Sequence, residues 1–422
     1  MKYVIIGNSY AGASAIEAIR RKDRQGGITV ISKEPYHVYA RAAIHEYMDG
    51  TIGDRQMYYR DMDFYKRHNV TPLLGKAVTS VDPRDRSVVL EDGRQVRFDS
   101  LMISTGGVPI TPPIEGAQGP GMFTFTTWDD AKVLKNWITA EKDPKAVVIG
   151  GGLIGLQCAE GLKHAGVDVT VVELADYVLV KALDRTTALR VQKWLEENGL
   201  KIVTGTTVET VNRVKGAITG VELKNGEKIP CNTVVLSIGV RPNTAMLEGS
   251  GIKVDRGVMA DSLMQTNVEG IFTAGDVAEA EDFFRKRPEI IPIIPIATMQ
   301  GRIAGYNMAG GKRLYTGGMP QNAFQFFGRS TVSVGNVIYA DKDDGYEEIV
   351  RDEDGVYKKA VLKDGKLVGV LSMNYITRIG IYNSVIRARM DVSGIKDRLL
   401  SDTFGFLDLP KKFRDEMLTK PG

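Results

Sequence analysis

The chain has 422 residues, 43% apolar and 25% charged, with a formal net charge of +3 and two cysteines. That length asks for two or three domains, and the composition excludes a disordered or fibrous chain. The near-balanced charge argues against a dedicated nucleic-acid binder, two cysteines exclude a four-thiolate iron–sulfur cluster held by this chain alone, and no apolar run reaches the ~20 residues of a membrane span.

Met1-Lys2 leads straight into a predicted strand at 3–7 with no targeting segment, so the expected location is the cytoplasm. A glycine turn within "KYVIIGNSYAG" (2–12) then opens a predicted helix over 13–22, and a strand follows at 28–32. Residues 88–99 read as a hairpin around Asp92-Gly93, and a strand at 100–104 ends in Thr105-Gly106-Gly107. Pro109, Pro112 and Pro113 mark a first domain crossing. The same succession then repeats. "AVVIGGGLIG" (146–155) gives strand, glycine turn and helix (156–164), followed by a strand at 168–173. A hairpin around Asn225-Gly226, a strand at 233–238 and a glycine-proline exit at 239–242 complete it, so the architecture is repeated and suggests duplication.

"GIFTAGD" (270–276) is a strand ending in Gly-Asp, with Asp276 placed just before an expected helical turn, and 296–308 is a helix. Beyond it, β-rich stretches at 331–339, 347–351, 357–363 and 366–374 are punctuated by Gly345, Asp354-Gly355 and Asp364-Gly365. The expected fold class is α/β: two Rossmann-like three-layer nucleotide-binding domains with a C-terminal α+β domain. The expected boundaries are 1–110 and 246–315 for the first, discontinuous nucleotide domain, 111–245 for the second, and 316–422 for the C-terminal domain.

Gly150-x-Gly152-x-x-Gly155 is the stronger motif. Gly150 permits the tight turn, Gly152 lets backbone approach a pyrophosphate, and Gly155 lets the helix lie close to the sheet. Glu173 ends the next strand, where a carboxylate accepts hydrogen bonds from both adenosine ribose hydroxyls and repels a 2′-phosphate. With no arginine directly after it, NADH is favoured over NADPH. The first motif, Gly7-Asn8-Ser9-Tyr10-Ala11-Gly12, has Ser9 in place of the middle glycine. Its following strand ends at Ser32, leaving Glu34 as the nearest ribose carboxylate. Asp276 suits a ribityl hydroxyl. Two dinucleotide sites in one chain suit hydride transfer between a nicotinamide and a flavin, the cofactor carrying the reaction.

On these motifs, with Ser104-Thr105-Gly106, "SIGVRPN" (237–243) and "GIFTAGD", the first 315 residues or so resemble the FAD-dependent pyridine nucleotide-disulfide oxidoreductase superfamily. "PYHVYARAAIHEYMDG" (35–50) resembles the flavin-proximal segment of NADH–rubredoxin reductases and NADH-dependent nitrite reductases. It also resembles flavoprotein subunits of anaerobic iron–sulfur oxidoreductases, and "IPIIPIATMQGRIAGYNMAG" (291–310) is similar to that group's helix beside the flavin. The resemblance implies that Gly7, Ser9, Gly12, Glu34 and Asp276 hold FAD. Arg41 would lie near the isoalloxazine or the phosphates, with Thr105 and Gly106 at the adenine half. Gly150, Gly152, Gly155 and Glu173 would hold NAD(H), with Glu160 and Gly239 near the nicotinamide half. Where relatives carry a redox cysteine this chain reads Ala40-Arg41-Ala42-Ala43, so no thiol–disulfide or sulfenic chemistry is expected.

The implied activity is hydride transfer from NADH to flavin N5, in either direction, coupled to a rubredoxin, a ferredoxin or an Fe–S oxidoreductase subunit. The alternatives are a flavoprotein subunit with little turnover of its own, an NADH oxidase using O2, and a cofactor-free scaffold. No residue is a certain catalyst, the candidates being Arg41, His45 and Glu160; no metal site is expected, and Cys158 and Cys231 read as buried apolar residues. His37 and His45 lie near the flavin-proximal segment, His68 and His164 at helix ends or the surface, and Tyr10, Tyr36 and Tyr39 are candidates to pack on the cofactor. Phe283–Arg287 and Lys411-Lys412 are candidate contacts for an acidic carrier. The resemblance also implies a homodimer through the C-terminal domain, and neither nucleic acid nor a membrane span is expected.

Overall fold

The apolar run "KYVII" forms strand β1 (Lys2–Ile6), buried from Tyr3 onward. Burial on both faces belongs to a parallel central strand. Helix α1 (Tyr10–Lys22) returns the chain, and β2 (Gly27–Ser32) pairs with β1 in parallel. After α2 (Ile44–Asp49) and α3 (Phe64–Arg67), β3 (Val70–Leu74) adds beside β2. Strands β4 (Val78–Asp82), β5 (Ser87–Leu90) and β6 (Gln95–Arg97) make an antiparallel meander that turns at Asp92-Gly93. Strand β7 (Ser100–Ile103) rejoins the parallel sheet beside β1, and β8 (Gly107–Pro109) leaves it.

The second pass runs β9 (Met122–Thr124), α4 (Trp128–Ala140), β10 (Lys145–Ile149), α5 (Leu153–His164), β11 (Asp168–Glu173), α6 (Arg185–Glu197) and β12 (Lys201–Thr204). A second meander, β13 (Val208–Val214), β14 (Ala217–Leu223) and β15 (Lys228–Ile229), precedes β16 (Thr233–Leu236), which returns beside β10. Strand β17 (Val240–Pro242) pairs antiparallel with β8. The chain then forms β18 (Val258–Met259), β19 (Ile271–Thr273), β20 (Ala278–Glu281), β21 (Pro288–Glu289) and α7 (Ile294–Met308). Strand β19 completes the first sheet beside β7. The two parallel sheets have the orders β19-β7-β1-β2-β3 and β12-β11-β10-β16-β9.

Strand alternation places the cores. Tyr3 and Ile5 pack with α1 and α7 on one face of the first sheet, and Val4 and Ile6 pack with the meander residues Val81, Val88 and Leu90 on the other. In the second sheet Val147 and Ile149 pack against Val211, Val221 and Leu223 of its meander in the same way.

This computed structural model describes residues 1–339 and 345–419, the last four by backbone only, so residues 340–344 and 420–422 of the expected C-terminal domain lie outside the described residues. The chain divides into two compact units, residues 1–174 with 200–318, and residues 175–199 with 319–422. The second unit holds an antiparallel sheet of β22 (Gln321–Phe326), β23 (Arg329–Gly335), β24 (Tyr346–Glu353), β25 (Val356–Lys363) and β26 (Lys366–Met373), in the order β22-β23-β26-β25-β24. Helices α8 (Ile379–Arg387) and α9 (Lys411–Thr419) follow. Helix α6 belongs to this unit too. Its N-cap Asp184 accepts from the Thr187 amide at 3.0 Å and pairs at 2.5 Å with Lys359, a nearly fully buried lysine that also meets Glu348 at 3.1 Å. Two carboxylates against one buried ammonium satisfy its charge.

The architecture is the expected one: two Rossmann-like α/β domains and a C-terminal α+β domain. Local differences have local causes. Helices α1 and α5 begin three residues earlier than the pattern suggests, because Ser9 and Gly152 are themselves the N-cap residues. Asp276 does not precede a helical turn. The helix-like string Val277–Glu281 runs into strand β20, paired with β18 and β21, since pairing partners override so short a local preference.

Candidate functional site

The two glycine turns are built alike. Gly7 has φ +119° and Gly150 φ +112°, a region closed to other residues without strain. A Cβ on Gly7 would stand 2.0 Å from the Ser104 carbonyl oxygen, and one on Gly150 2.3 Å from that of Ser237. Those serines hold equivalent places, each donating its amide to the last residue of the first strand, Ile6 or Ile149, at 2.8 Å. Gly12 and Gly155 press on the carbonyls of Gly7 and Gly150, where a Cβ would come within 2.2 and 2.1 Å. The middle position differs in kind: around Gly152 a Cβ would meet nothing within 4 Å.

Ser9 takes that middle place in the first turn. It is extended (φ −130°, ψ −155°), and its hydroxyl does not cap α1. Helices α1 and α5 both start without a side-chain cap and without an acidic residue in the first turn. Uncapped amides at each turn, with open space beside Gly152 in the second, fit an anionic pyrophosphate.

Carboxylates flank both turns. Glu173 accepts from the Gly151 amide at 2.6 Å, which fixes it at the mouth of the second turn. Glu34 accepts from the Tyr39 hydroxyl at 2.6 Å and forms an ion pair with Arg41. The other arm of Arg41 donates to the Thr126 carbonyl at 2.6 Å. Asp276 has Arg41 as its nearby positive charge; burial pushes its carboxyl above the usual range and Arg41 pulls it back. The preceding Gly275 donates its amide to Gln300 Oε1 at 2.9 Å, and Gln300 Nε2 donates to the Tyr315 hydroxyl at 3.3 Å. Helix α7 brings this loop against α1: a Cβ on Gly301 or Gly305 would stand 2.3 or 2.5 Å from the carbonyl of Ala11 or Ala15. Glu34, Arg41 and Asp276 are thereby gathered beside the Gly7–Gly12 turn.

Thr105 and Gly106 lie at the crossing between the nucleotide halves. The Thr105 hydroxyl donates to the Asn243 carbonyl at 2.7 Å, and the Asn243 amide donates to the Gly106 carbonyl at 2.9 Å. Gly239 faces open space, with only Ile110 Cδ1 within 4 Å of where a Cβ would be, and Glu160 is buried on α5.

Of the other candidates, His37, Tyr10 and Tyr39 are buried, and His164 is exposed. His37 is buried against the Tyr65 ring (4.4 Å), and desolvation lowers its pKa. Tyr65 donates to Asn8 Oδ1 at 2.9 Å and Asn8 donates to the Tyr36 carbonyl at 3.1 Å, which ties this cluster to the first glycine turn. His45 Nδ1 lies 3.0 Å from the Ala42 carbonyl; His68 ends α3, and His164 ends α5. Tyr10 packs edge-on to Tyr59 (4.5 Å), whereas Tyr36 and Tyr39 surround Trp128. Both cysteines are buried, and desolvation pushes Cys231 up to about 12 and Cys158 upward too, so neither supplies a thiolate. Ala42 is exposed, and the segment Ala40–Ala43 around it holds no cysteine.

The basic run at Arg285–Arg287 is neutralised locally. Arg285 and Arg287 pair with Glu289, Lys286 with Glu281, and Arg256 bridges Glu279 and Glu289. Lys411 and Lys412 are exposed on α9, while Phe404 is buried in a stack on Tyr382. Among the described residues no His/Cys/Asp/Glu group could hold a metal ion, and no helix is long and apolar enough to cross a membrane.

Sequence reasoning passed over Asn8, Thr126, Trp128 and Gln300. For α4 a signal existed: Thr127 and Asp130 form a capping box, with the Asp130 amide donating to the Thr127 hydroxyl at 3.0 Å. Gln300 had none, because its partners are 15 and 25 residues away.

Comparison with known proteins agrees with this geometry. A family model described as pyridine nucleotide-disulphide oxidoreductase matches residues 1–301. The epsilon subunit of NADH-dependent phenylglyoxylate dehydrogenase from Aromatoleum evansii is 32% identical over 408 residues, 95% of each chain. NADH-rubredoxin oxidoreductase of Clostridium acetobutylicum is 28% identical over 336 residues, 80% of this chain and 82% of that one. Among solved structures, an NAD-dependent persulfide reductase from A. fulgidus superposes with a TM-score of 0.85 at 28% identity, covering 93% of this chain and 78% of that one.

Proposed function

The chain belongs to the pyridine nucleotide-disulphide oxidoreductase family, as an FAD- and NAD(H)-dependent oxidoreductase without the redox cysteine pair, and from that premise we propose that it passes electrons between NAD(H) and an iron–sulfur or rubredoxin-type protein. The observation that carries this reading is the doubled glycine turn, two anion cradles within one compact unit and no thiolate beside either. The relatives support the class of partner, one being an NADH-rubredoxin oxidoreductase.

In this reading Gly7, Ser9, Gly12, Glu34, Arg41, Thr105, Gly106 and Asp276 hold FAD, from segments 1–110 and 246–315. Gly150, Gly152, Gly155, Glu160, Glu173 and Gly239 hold NAD(H), from segment 111–245, and segment 316–422 pairs two copies. Bound FAD supplies a two-electron acceptor for hydride that can also give up electrons singly. The chain's own contribution is placement and charge. The α1 and α5 amides would bind phosphates, Asp276 would accept a hydrogen bond from a hydroxyl, and Arg41 and the uncapped start of α7 would each favour negative charge.

A second reading has its own support. The epsilon subunit that matches 95% of this chain is by its name one part of a larger dehydrogenase, so this chain would work chiefly inside such a complex. The test is anaerobic mixing of FAD-loaded protein with NADH while the flavin band near ~450 nm is followed. Fast bleaching, slow reoxidation by air and fast reoxidation by a rubredoxin or ferredoxin are expected. A flavin that neither NADH nor NADPH bleaches would sink the direct-hydride mechanism and leave the obligate-subunit reading.

Preference for NADH is part of the proposal. Glu173 stays at the turn through the Gly151 amide, Leu174 behind it is 66% exposed, and no basic residue occurs from 174 to 180. The Glu173→Ala/Leu174→Arg pair should lower kcat/KM for NADH by roughly 10–100-fold, the worth of the lost ribose hydrogen bonds, and raise it for NADPH. Steady-state rates with both nucleotides check this, and an unchanged ratio would remove Glu173 from the ribose site.

A further inference from the structure

Helix α2 is six residues long, yet the second nucleotide half grips it at three points. Lys135 of α4 donates to the Tyr47 carbonyl at 2.9 Å and lies over the Tyr47 ring at 5.1 Å. Asp49 meets His164, at the end of α5, at 3.2 Å. Between these, Met48 is 1% exposed and faces Gly161 of α5, where a Cβ would stand 2.6 Å from Met48 Cε and 3.1 Å from the His45 carbonyl oxygen. Gly161 sits inside a helix, where glycine costs about 1 kcal/mol against alanine. The close approach of α2 gives that glycine its reason.

Expected site residues stand on both sides of the contact. Arg41 lies just before α2, and Glu160 is the neighbour of Gly161 on the helix that begins at the nucleotide turn. A helix is stiff, so a displacement at Gly161 shifts the whole of α5. We propose that the Met48–Gly161 contact sets the spacing between the flavin and nicotinamide sites, making both residues positioning residues for hydride transfer. This rests on the NADH-to-flavin reading above. Misplacement of the reacting groups by ~1 Å can cost ~10²-fold in rate, so a methyl-sized wedge at this seam acts on the chemistry more than on binding.

The test compares wild type, Gly161→Val, Met48→Ala and the double variant. Flavin reduction at saturating NADH is followed anaerobically, NAD⁺ binding to the FAD-free protein is measured by calorimetry, and FAD content and melting temperature are recorded. Gly161→Val should slow reduction at least about tenfold with NAD⁺ affinity within about twofold of wild type, and the double variant should recover most of the rate. Met48→Ala alone loosens the same contact without crowding it. It should slow reduction too, which keeps the question open to test should Gly161→Val not fold. Unchanged reduction in the folded variants overturns the proposal. So does a slow rate that comes with equal losses of NAD⁺ affinity and FAD content and is not rescued, since the contact would then be packing alone. A wild type that NADH does not bleach sinks the hydride reading itself, whereas normal wild-type bleaching with indifferent variants sinks only the role of this contact.

Discussion

Gly150→Ala is expected to give a yellow protein that NADH bleaches about 10²-fold more slowly than wild type, or more slowly still. The added Cβ would stand 2.3 Å from the Ser237 carbonyl oxygen and 2.7 Å from its carbon, at a φ of +112°. Backbone cannot yield as a flexible side chain can, so the β10–α5 turn must move away from β16, and left-handed strain adds ~1–3 kcal/mol. The turn carries the Gly151 amide that holds Glu173, so the phosphate cradle and the ribose carboxylate are displaced together. The first glycine turn rests on Ser104, a separate support, and FAD should stay bound. Reduction by NADH should fall by about 10²-fold or more while dithionite still bleaches the flavin. Gly152→Ala is the control. With nothing within 4 Å of its Cβ, it should leave the melting temperature of the FAD-free protein unchanged and still lose nucleotide binding. A Gly150→Ala protein reduced at the wild-type rate would remove this turn from the reaction.

The contrast between Gly150 and Gly152 shows why this part of the site was readable in the sequence. Both outer glycines of each turn are demanded by backbone contacts within the fold, so their spacing appears in the chain whether or not a nucleotide is present. Hairpins at Asp92-Gly93 and Asn225-Gly226 were legible for the same reason, a turn geometry that few residues adopt. Less legible was whatever depends on partners distant in sequence. Gln300 looks like any polar residue of a helix until Gly275 and Tyr315 are seen beside it. Periodicity in Arg185–Glu197 marks a helix with one buried face, and says nothing of that face belonging with Lys359 and the C-terminal sheet. Phe283–Arg287 looked basic because its neutralising partners, Glu281 and Glu289, lie outside the run. Charge read along a short window overstates the charge a surface presents.

That neutralisation bears on how the chain would meet a redox partner. The hairpin between β20 and β21 offers one partly exposed ring, Phe284, backed by the buried Phe283, and a balanced set of charges, which gives little long-range steering. Encounter with an acidic carrier would then depend on salt only weakly if this hairpin were the dock. In the proposed function, the two buried cysteines would leave the chain without a thiolate to take electrons from bound FAD, so a separate acceptor would have to come close.

Asp276→Asn is expected to make the FAD-free protein more stable and to weaken its hold on FAD. Burial raises the Asp276 carboxyl above its unfolded value, with Arg41 opposing the rise. For a carboxyl raised in the folded state, the favourable contribution is fully present below the unfolded pKa of ~3.9 and is lost as pH rises through the folded pKa. At neutral pH the ionised side chain therefore counts against the fold. Asparagine keeps the shape and removes the charge, and should raise the melting temperature by about 2 °C at pH 7.5, with the gain shrinking towards pH 4. The same change removes the stronger acceptor for a ribityl hydroxyl, and FAD affinity should fall roughly tenfold or more. Scanning calorimetry of the FAD-free protein at the two pH values, with FAD titrations followed by flavin fluorescence, reads both effects. A variant that melts below wild type at pH 7.5 would show that Asp276 supports the loop through bonds its charge makes possible. Unchanged FAD affinity would move the ribityl contact elsewhere. Higher stability with weaker FAD would mark Asp276 as a residue kept for its ligand at a cost to the fold, as expected where binding needs a partly desolvated charge.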